Sequence, residues 1–177
     1  MTAILAFNAK QWIDTNCVGG HTLRPETLEM VSNFTLMWNF FEGIVCNNHA
    51  NIREFDTLAE KIAQRVSLPA EIDEGVRFWA SRYVTGAECN HLFHGLRFRL
   101  SDRREHVEAV LRSEKNDPRS QLLAVMIITY RLRNNLFHGL KEIKTLNDQV
   151  PNLTMACRAL AAIAQVSGAM IIVQEAA

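Results

Sequence analysis

The chain has 177 residues, 48% of them hydrophobic, and 19 basic side chains balance 19 acidic ones, so its formal net charge is zero. That length and apolar content suit one domain with a substantial core and leave little room for two. The longest nearly unbroken apolar run, "LLAVMIITY" at 122 to 130, is far short of the roughly 20 residues of a membrane span, and the four cysteines, Cys17, Cys46, Cys89 and Cys157, form no C-x-x-C pair, which excludes a disulfide framework and predicts reduced, core-type thiols.

The start, "MTAILAFNAK", lacks the basic region of a secretory signal, so the expected location is cytoplasmic and no membrane association is expected. No low-complexity tract or Pro-rich linker divides the chain, so residues 1–177 read as a single helical domain in which 1–22 form an irregular N-terminal segment. After Pro25, "TLEMVSNFTLMWNFFEGIVC" carries Leu28, Val31, Phe34, Trp38, Phe41 and Val45 at helical spacing. "NIREFDTLAEKIAQRV" repeats the pattern with Ile52, Phe55, Leu58, Ile62 and Val66. "SLPAEIDEGVRFWASRYV" restarts it with Ser67 as a candidate cap and Ile72, Val76, Trp79 and Tyr83 on one side.

Gly86 is a candidate break before the short segment "NHLFHGL", and Ser101 a candidate cap for "DRREHVEAVLRSE". Asp117 and Pro118 then open a helix whose residues from Leu122 to Tyr130 leave no polar face, which predicts burial among the others. Gly139 offers it a stop, with a renewed helix through "LKEIKTLND" as an option. Beyond Pro151, "NLTMACRALAAIAQVSGAMIIVQ" reads as a last core helix. No segment from residue 22 onward shows sustained period-two alternation, so the expected fold is an all-α bundle of about five to seven helices.

The zero net charge hides an asymmetry. Residues 97 to 141 carry 10 basic and 5 acidic groups, and the rest of the chain carries the compensating excess of acid. The arginines of this block, Arg97, Arg99, Arg103, Arg104, Arg112, Arg119, Arg131 and Arg133, form either a surface for an anionic ligand or a solvated face that pairs with Glu105, Glu108 and Glu114.

Two segments in the second half end alike, "NHLFHGL" at 90 to 96 and "NNLFHGL" at 134 to 140, but Cys89 stands where the second copy has Arg133. In a helix Asn134 and His138 share a face, whereas Arg133 and His138 are about 140° apart. Partial negative charge at a helix end favours imidazolium. A histidine there, an arginine and an amide suit acid/base work on a phosphodiester, with His138 moving protons, Arg133 meeting charge on the phosphoryl oxygens and Asn134 orienting either. The alternative is structural: His138 caps carbonyls and Arg133 pairs an acidic neighbour. His91 and His94 of the first copy read as surface or capping histidines.

"YRLRNNLFHGLK" at 130 to 141 resembles the signature of the HEPN superfamily, and its Tyr-x-x-Arg-Asn-x-x-x-His-Gly form is similar to that of the Apea-like branch. "NFTLMWNFFEGIVC" is similar to the Trp-containing early helix of that branch. The resemblance implies a helical homodimer in which two copies of the motif face each other across a composite cleft. Active members are metal-independent endoribonucleases of toxin–antitoxin, anti-phage and RNA-processing settings. It assigns Arg133 and His138 as the catalytic pair with Asn134 beside them, no cofactor, no metal, RNA as substrate, and an antitoxin or other regulatory protein as a further partner. The ribose 2′-hydroxyl would attack the adjacent phosphate to give a cyclic phosphate. RNA contacts are expected of Arg97, Arg99, Arg131 and Lys141 in the basic block. Leu140 stands where the nucleotidyltransferase-regulated helical toxins have Tyr, so that control is not expected.

Two rival readings remain at this level. Arg133 and Asn134 can instead fix the pairing of a non-catalytic HEPN-like dimerisation or RNA-binding module. Cys17 with His21, and Cys89 with His91 and His94, have zinc-type side chains at a spacing that fits no common finger.

Overall fold

Apolar side chains three and four apart set the frame, and the computed structural model describes it for residues 7–138 and 143–168. The segment expected to be irregular contains a helix, α1 (Ala9–Asn16), capped by the Asn8 side chain and burying none of its own residues. A 3₁₀ turn, Gly20–Thr22, leads into α2 (Pro25–Phe40), whose Phe34 and Trp38 point into the core as their spacing predicts. Instead of stopping, α2 widens into a π turn over Phe41–Val45, closed by Cys46 N–H donating to Phe41 O at 3.0 Å.

The side chain of Asn51 accepts from the amides of Arg53 and Glu54 and opens α3 (Ile52–Arg65). The next helix, α4 (Ala70–Tyr83), begins after Pro69 rather than at Ser67. Pro69 disfavours helical geometry at Leu68, so the chain stays extended past the serine. Beyond α4 a two-residue hairpin, β1 (Val84–Thr85) and β2 (Glu88–Cys89), pairs Val84 with Cys89 and Thr85 with Glu88. Gly86 supplies the φ of +63° its turn needs. This is the one place among the described residues where the expectation of no strand fails.

Asn90 caps the short α5 (His91–His94), the first "LFHG" copy. α6 (Arg104–Leu111) is preceded by Arg103 at φ 51°, not capped by Ser101. Asp117 Oδ1 accepts the Ser120 amide at 2.9 Å at the start of α7 (Pro118–His138), as expected. α8 (Ile143–Asn147) renews the helix, and α9 (Val150–Val166) places Pro151 in its first turn. The expected stop at Gly139 and the end of the last helix past residue 168 lie outside the described residues. Among the described residues, nine α-helical segments thus stand against the five to seven expected, four of them with eight residues or fewer.

α7 is the axis of this all-α fold, packed against α3, α4, α6 and α9, while α2 lies along α9. Every residue from Leu122 to Thr129 is buried, so the helix has no solvent face over two turns. Each large aliphatic side chain buried there contributes about 1.5–3 kcal/mol of transfer free energy. All four cysteines are free, and burial, with Glu42 and Glu54 adding to it, pushes the Cys46 thiol up to about 12. No helix among the described residues is long and apolar enough to cross a membrane.

Candidate functional site

The polar residues that follow Thr129 on α7 divide between two faces. Arg131 and Asn135, one turn apart, point inward at the turn that follows α5. Arg131 donates from Nε to Leu96 O at 3.1 Å and from Nη2 to Arg97 O at 2.6 Å. Its Nη1 lies 3.0 Å from Asp102 Oδ2, an oxygen that also accepts the Arg99 amide at 2.7 Å. Asn135 Nδ2 donates to Gly95 O and Leu96 O, both at 3.1 Å. These side chains satisfy carbonyls that the end of a four-residue helix leaves without partners.

The two "LFHG" copies are therefore partners in packing: residues in and just before the second hold the carbonyls that end the first. The bond to its carbonyl helps hold Arg97 at φ 52° without its being glycine, and Arg103 closes the turn at φ 51°. Burial pulls the Arg131 guanidinium below its ordinary value, Asp102 works against this, and the nearby charge of Arg99 adds to the lowering. Arg131 is only 4% exposed, so the expectation that it contacts RNA is corrected: its guanidinium is committed to the interior.

On the other face stand Tyr130, Arg133, Asn134 and Phe137. Arg133 is half-buried, with its guanidinium carbon 5.8 Å from the centroid of the Trp38 ring and 5.3 Å from that of Phe137. Its Nη1 donates to Asn134 Oδ1 at 3.1 Å, and its Nη2 lies 3.8 Å from Glu42 Oε2. Glu42 belongs to the π turn and accepts the Trp38 indole N–H at 2.8 Å. The acidic neighbour anticipated in the structural alternative thus exists, at the outer limit of ion-pair distance. Arg133 Nε and Asn134 Nδ2 are two of the five buried side-chain polar atoms with no hydrogen-bond partner among the described residues, the others being Arg82 Nε, Thr129 Oγ1 and Arg131 Nη1. Such groups are rare in folded proteins, and here two of them fall on adjacent residues of one face.

Arg133 and Asn134 are accordingly brought together, with Trp38 and Glu42 as partners that motif spacing on α7 alone does not reveal. The i, i+4 relation of Trp38 and Glu42 was the available signal. His138 is the last residue of α7, but its side chain lies outside the described residues, as does Lys141. Arg97 and Arg99 are exposed on the turn after α5. Of the other arginines in the basic block, Arg103 and Arg119 both reach Asp56, Arg104 pairs Glu108, and Arg112 pairs Glu114. Much of that block is therefore internally neutralised, and Arg97 and Arg99 have no carboxylate partner among the described residues.

The first copy offers no matching site. His91 and His94 are exposed, and His94 Nδ1 takes a hydrogen bond from Arg104 Nη2 at 3.0 Å, which places the neutral ring's proton on Nε2. No group of three or more His, Cys, Asp or Glu among the described residues has an arrangement that holds a metal ion, so Cys89, His91 and His94 do not form a ligand set.

No family model matches the chain, and neither the curated proteins nor the solved structures contain a match to it. What the fold and site define on their own is an all-α protein with a half-buried arginine–amide pair beside a tryptophan and a carboxylate.

Proposed function

We propose that the chain is a HEPN-like, metal-independent endoribonuclease that works as a homodimer with a composite Arg/His cleft, in a toxin, anti-phage or RNA-processing setting. The observation that carries this reading is the state of Arg133: braced by Trp38, Phe137 and Asn134, yet with a buried Nε that has no partner and a carboxylate only at 3.8 Å. A phosphodiester oxygen can take the place of Glu42 against that guanidinium with little reorganisation. His138 would accept the proton of the attacking 2′-hydroxyl or protonate the leaving oxygen, and Asn134 would orient the arginine and offer its free Nδ2.

Dimerisation is supported by large apolar side chains left in solvent: Leu36, Phe40 and Ile44 recur every four residues along α2 and its π turn, and Phe137 is 50% exposed beside Arg133. The non-catalytic module is the second reading, and Glu42 is the observation that favours it, because a guanidinium already facing a carboxylate can be purely structural. Cleavage of a mixed RNA panel by wild type, Arg133→Ala and His138→Ala, with oligomeric state followed by light scattering, separates the two. Cleavage lost in both dimeric variants supports the enzyme. Absence of cleavage by wild type, with dimerisation lost in the variants, supports the module.

A further inference from the structure

Two of the arginines that form no ion pair among the described residues, Arg53 and Arg99, face each other across one concavity. A cavity of about 390 Å³ opens between the start of α3, the 99–103 turn and α7, its lining including Asn51, Arg53, Arg99, Asp102, Arg103 and Tyr130. We infer that this cavity is a phosphate-binding site and that, on the ribonuclease reading, it receives an RNA phosphate flanking the one held at Arg133.

The charges facing the cavity are unbalanced. Asp102 is taken by the buried Arg131 and by the Arg99 amide, and Asp56 is shared by Arg103 at 2.9 Å and Arg119 at 2.7 Å. Arg53 and Arg99 are exposed, and neither forms an ion pair among the described residues. Arg53 and Arg99 thus leave positive charge on one concavity whose lining carboxylate, Asp102, is already engaged by Arg131 and the Arg99 amide. The helix α3 begins at the cavity wall, where the Asn51 side chain already takes the Arg53 and Glu54 amides, so the anion is left to the Arg53 and Arg99 guanidinium groups.

The wall is also rigid. Arg131 and Asn135 hold the carbonyls of residues 95 to 97, and Asp102 fixes the turn that presents Arg99, so little freedom is lost when an anion binds. A volume of this size admits a phosphate with part of its sugar.

Position links the cavity to Arg133. Tyr130 lines it, and the Tyr130 ring lies 5.9 Å from that of Trp38, which also meets the Arg133 guanidinium at 5.8 Å. Tyr130 and Arg133 are one helical turn apart, about 5 Å along α7. A strand that lays one phosphate on Arg133 can place a neighbour between Arg53 and Arg99.

The test has two arms. Inorganic phosphate is titrated into the full chain while the side-chain Nε–H signals of Arg53 and Arg99 are followed by NMR. A labelled single-stranded RNA is then bound across a range of salt by wild type, by Arg53→Ala/Arg99→Ala, and by Arg65→Ala/Arg77→Ala, which removes the same charge from exposed positions that do not line the cavity.

The expected results are saturable phosphate shifts in wild type, RNA affinity about tenfold weaker in the cavity variant only, and a salt slope shallower by about 0.7 for each phosphate that is no longer neutralised. Equal RNA binding by the two double variants overturns the RNA assignment, and continued cleavage by wild type then leaves the ribonuclease reading standing. If wild type neither binds nor cleaves RNA, that reading fails and the phosphate arm decides the cavity: saturable shifts support a site for a free phosphorylated ligand, and their absence overturns the site altogether.

Discussion

Replacing Arg131 by methionine tests whether the interior grip on the 95–102 turn holds the fold together. Methionine keeps the aliphatic length of the side chain but abandons Asp102, whose side chain is 3% exposed, and the carbonyls of Leu96 and Arg97. Breaking a buried ion pair from one side costs about 3–5 kcal/mol, because the surviving charge stays desolvated. In a chain of this size that corresponds to a fall in Tm of roughly 6–20 °C. Asp102→Ala costs less, since Arg131 keeps both carbonyl acceptors, and the double variant lies closer to Asp102→Ala than to the sum of the single changes. Urea unfolding followed by far-ultraviolet circular dichroism and tryptophan fluorescence supplies the three free energies. Arg99→Ala, at an exposed position, serves as a control expected within about 0.5 kcal/mol of wild type. An Arg131→Met protein within about 1 kcal/mol of wild type, or strictly additive single changes, refutes the reasoning.

Glu42→Gln keeps an acceptor for the Trp38 indole but removes the carboxylate that competes for Arg133, so RNA affinity measured by fluorescence anisotropy rises about two- to fivefold; weaker binding contradicts this. Phe40→Glu places a charge in the exposed apolar row of α2 and weakens self-association on the order of tenfold or more by analytical ultracentrifugation, while an unchanged sedimentation profile removes that row from the interface. Burial holds the His106 imidazole below its ordinary 6.5, although its hydrogen bond to Ser120 O opposes the shift. Between those two values the unfolded chain binds more protons, so this group's contribution to stability is full above 6.5 and is lost as pH falls through the folded-state value. In His106→Gln the loss of stability over that window is smaller; an unchanged pH dependence of urea unfolding counts against the assignment.

The long helices were legible because each has a core face written in apolar spacing: Phe34 and Trp38 in α2, Phe55 and Ile62 in α3, Ile72, Trp79 and Tyr83 in α4. α1 was not, since a helix that buries none of its residues has no periodicity to betray it. Caps depended on neighbours. Ser67 lost its role to Pro69, and Ser101 to an Asp102 side chain drawn back toward Arg99 and Arg131. The hairpin at 84–89 is too short for alternation to register.

In the site, Arg131 and Arg133 are the same residue type two positions apart on a helix buried on all sides from Leu122 to Thr129. Nothing in the preceding sequence states which arginine turns inward. Asn135, one turn from Arg131, marks the inward face only once both are seen against the turn after α5. The partnership of Arg133 with Glu42 depends on a π turn, and that extra residue in the ring leaves no mark in composition or spacing.

The most direct test of the central claim is the chemistry of the cut made on RNA in EDTA by wild type, Arg133→Ala and His138→Ala, each shown to be folded and of wild-type oligomeric state. The account predicts a cyclic phosphate end from wild type, no cut at a linkage whose ribose lacks the 2′-hydroxyl, and rates lower by about a hundredfold or more in both variants. Cleavage that survives in either variant, that needs an added metal ion, or that proceeds without the 2′-hydroxyl contradicts it.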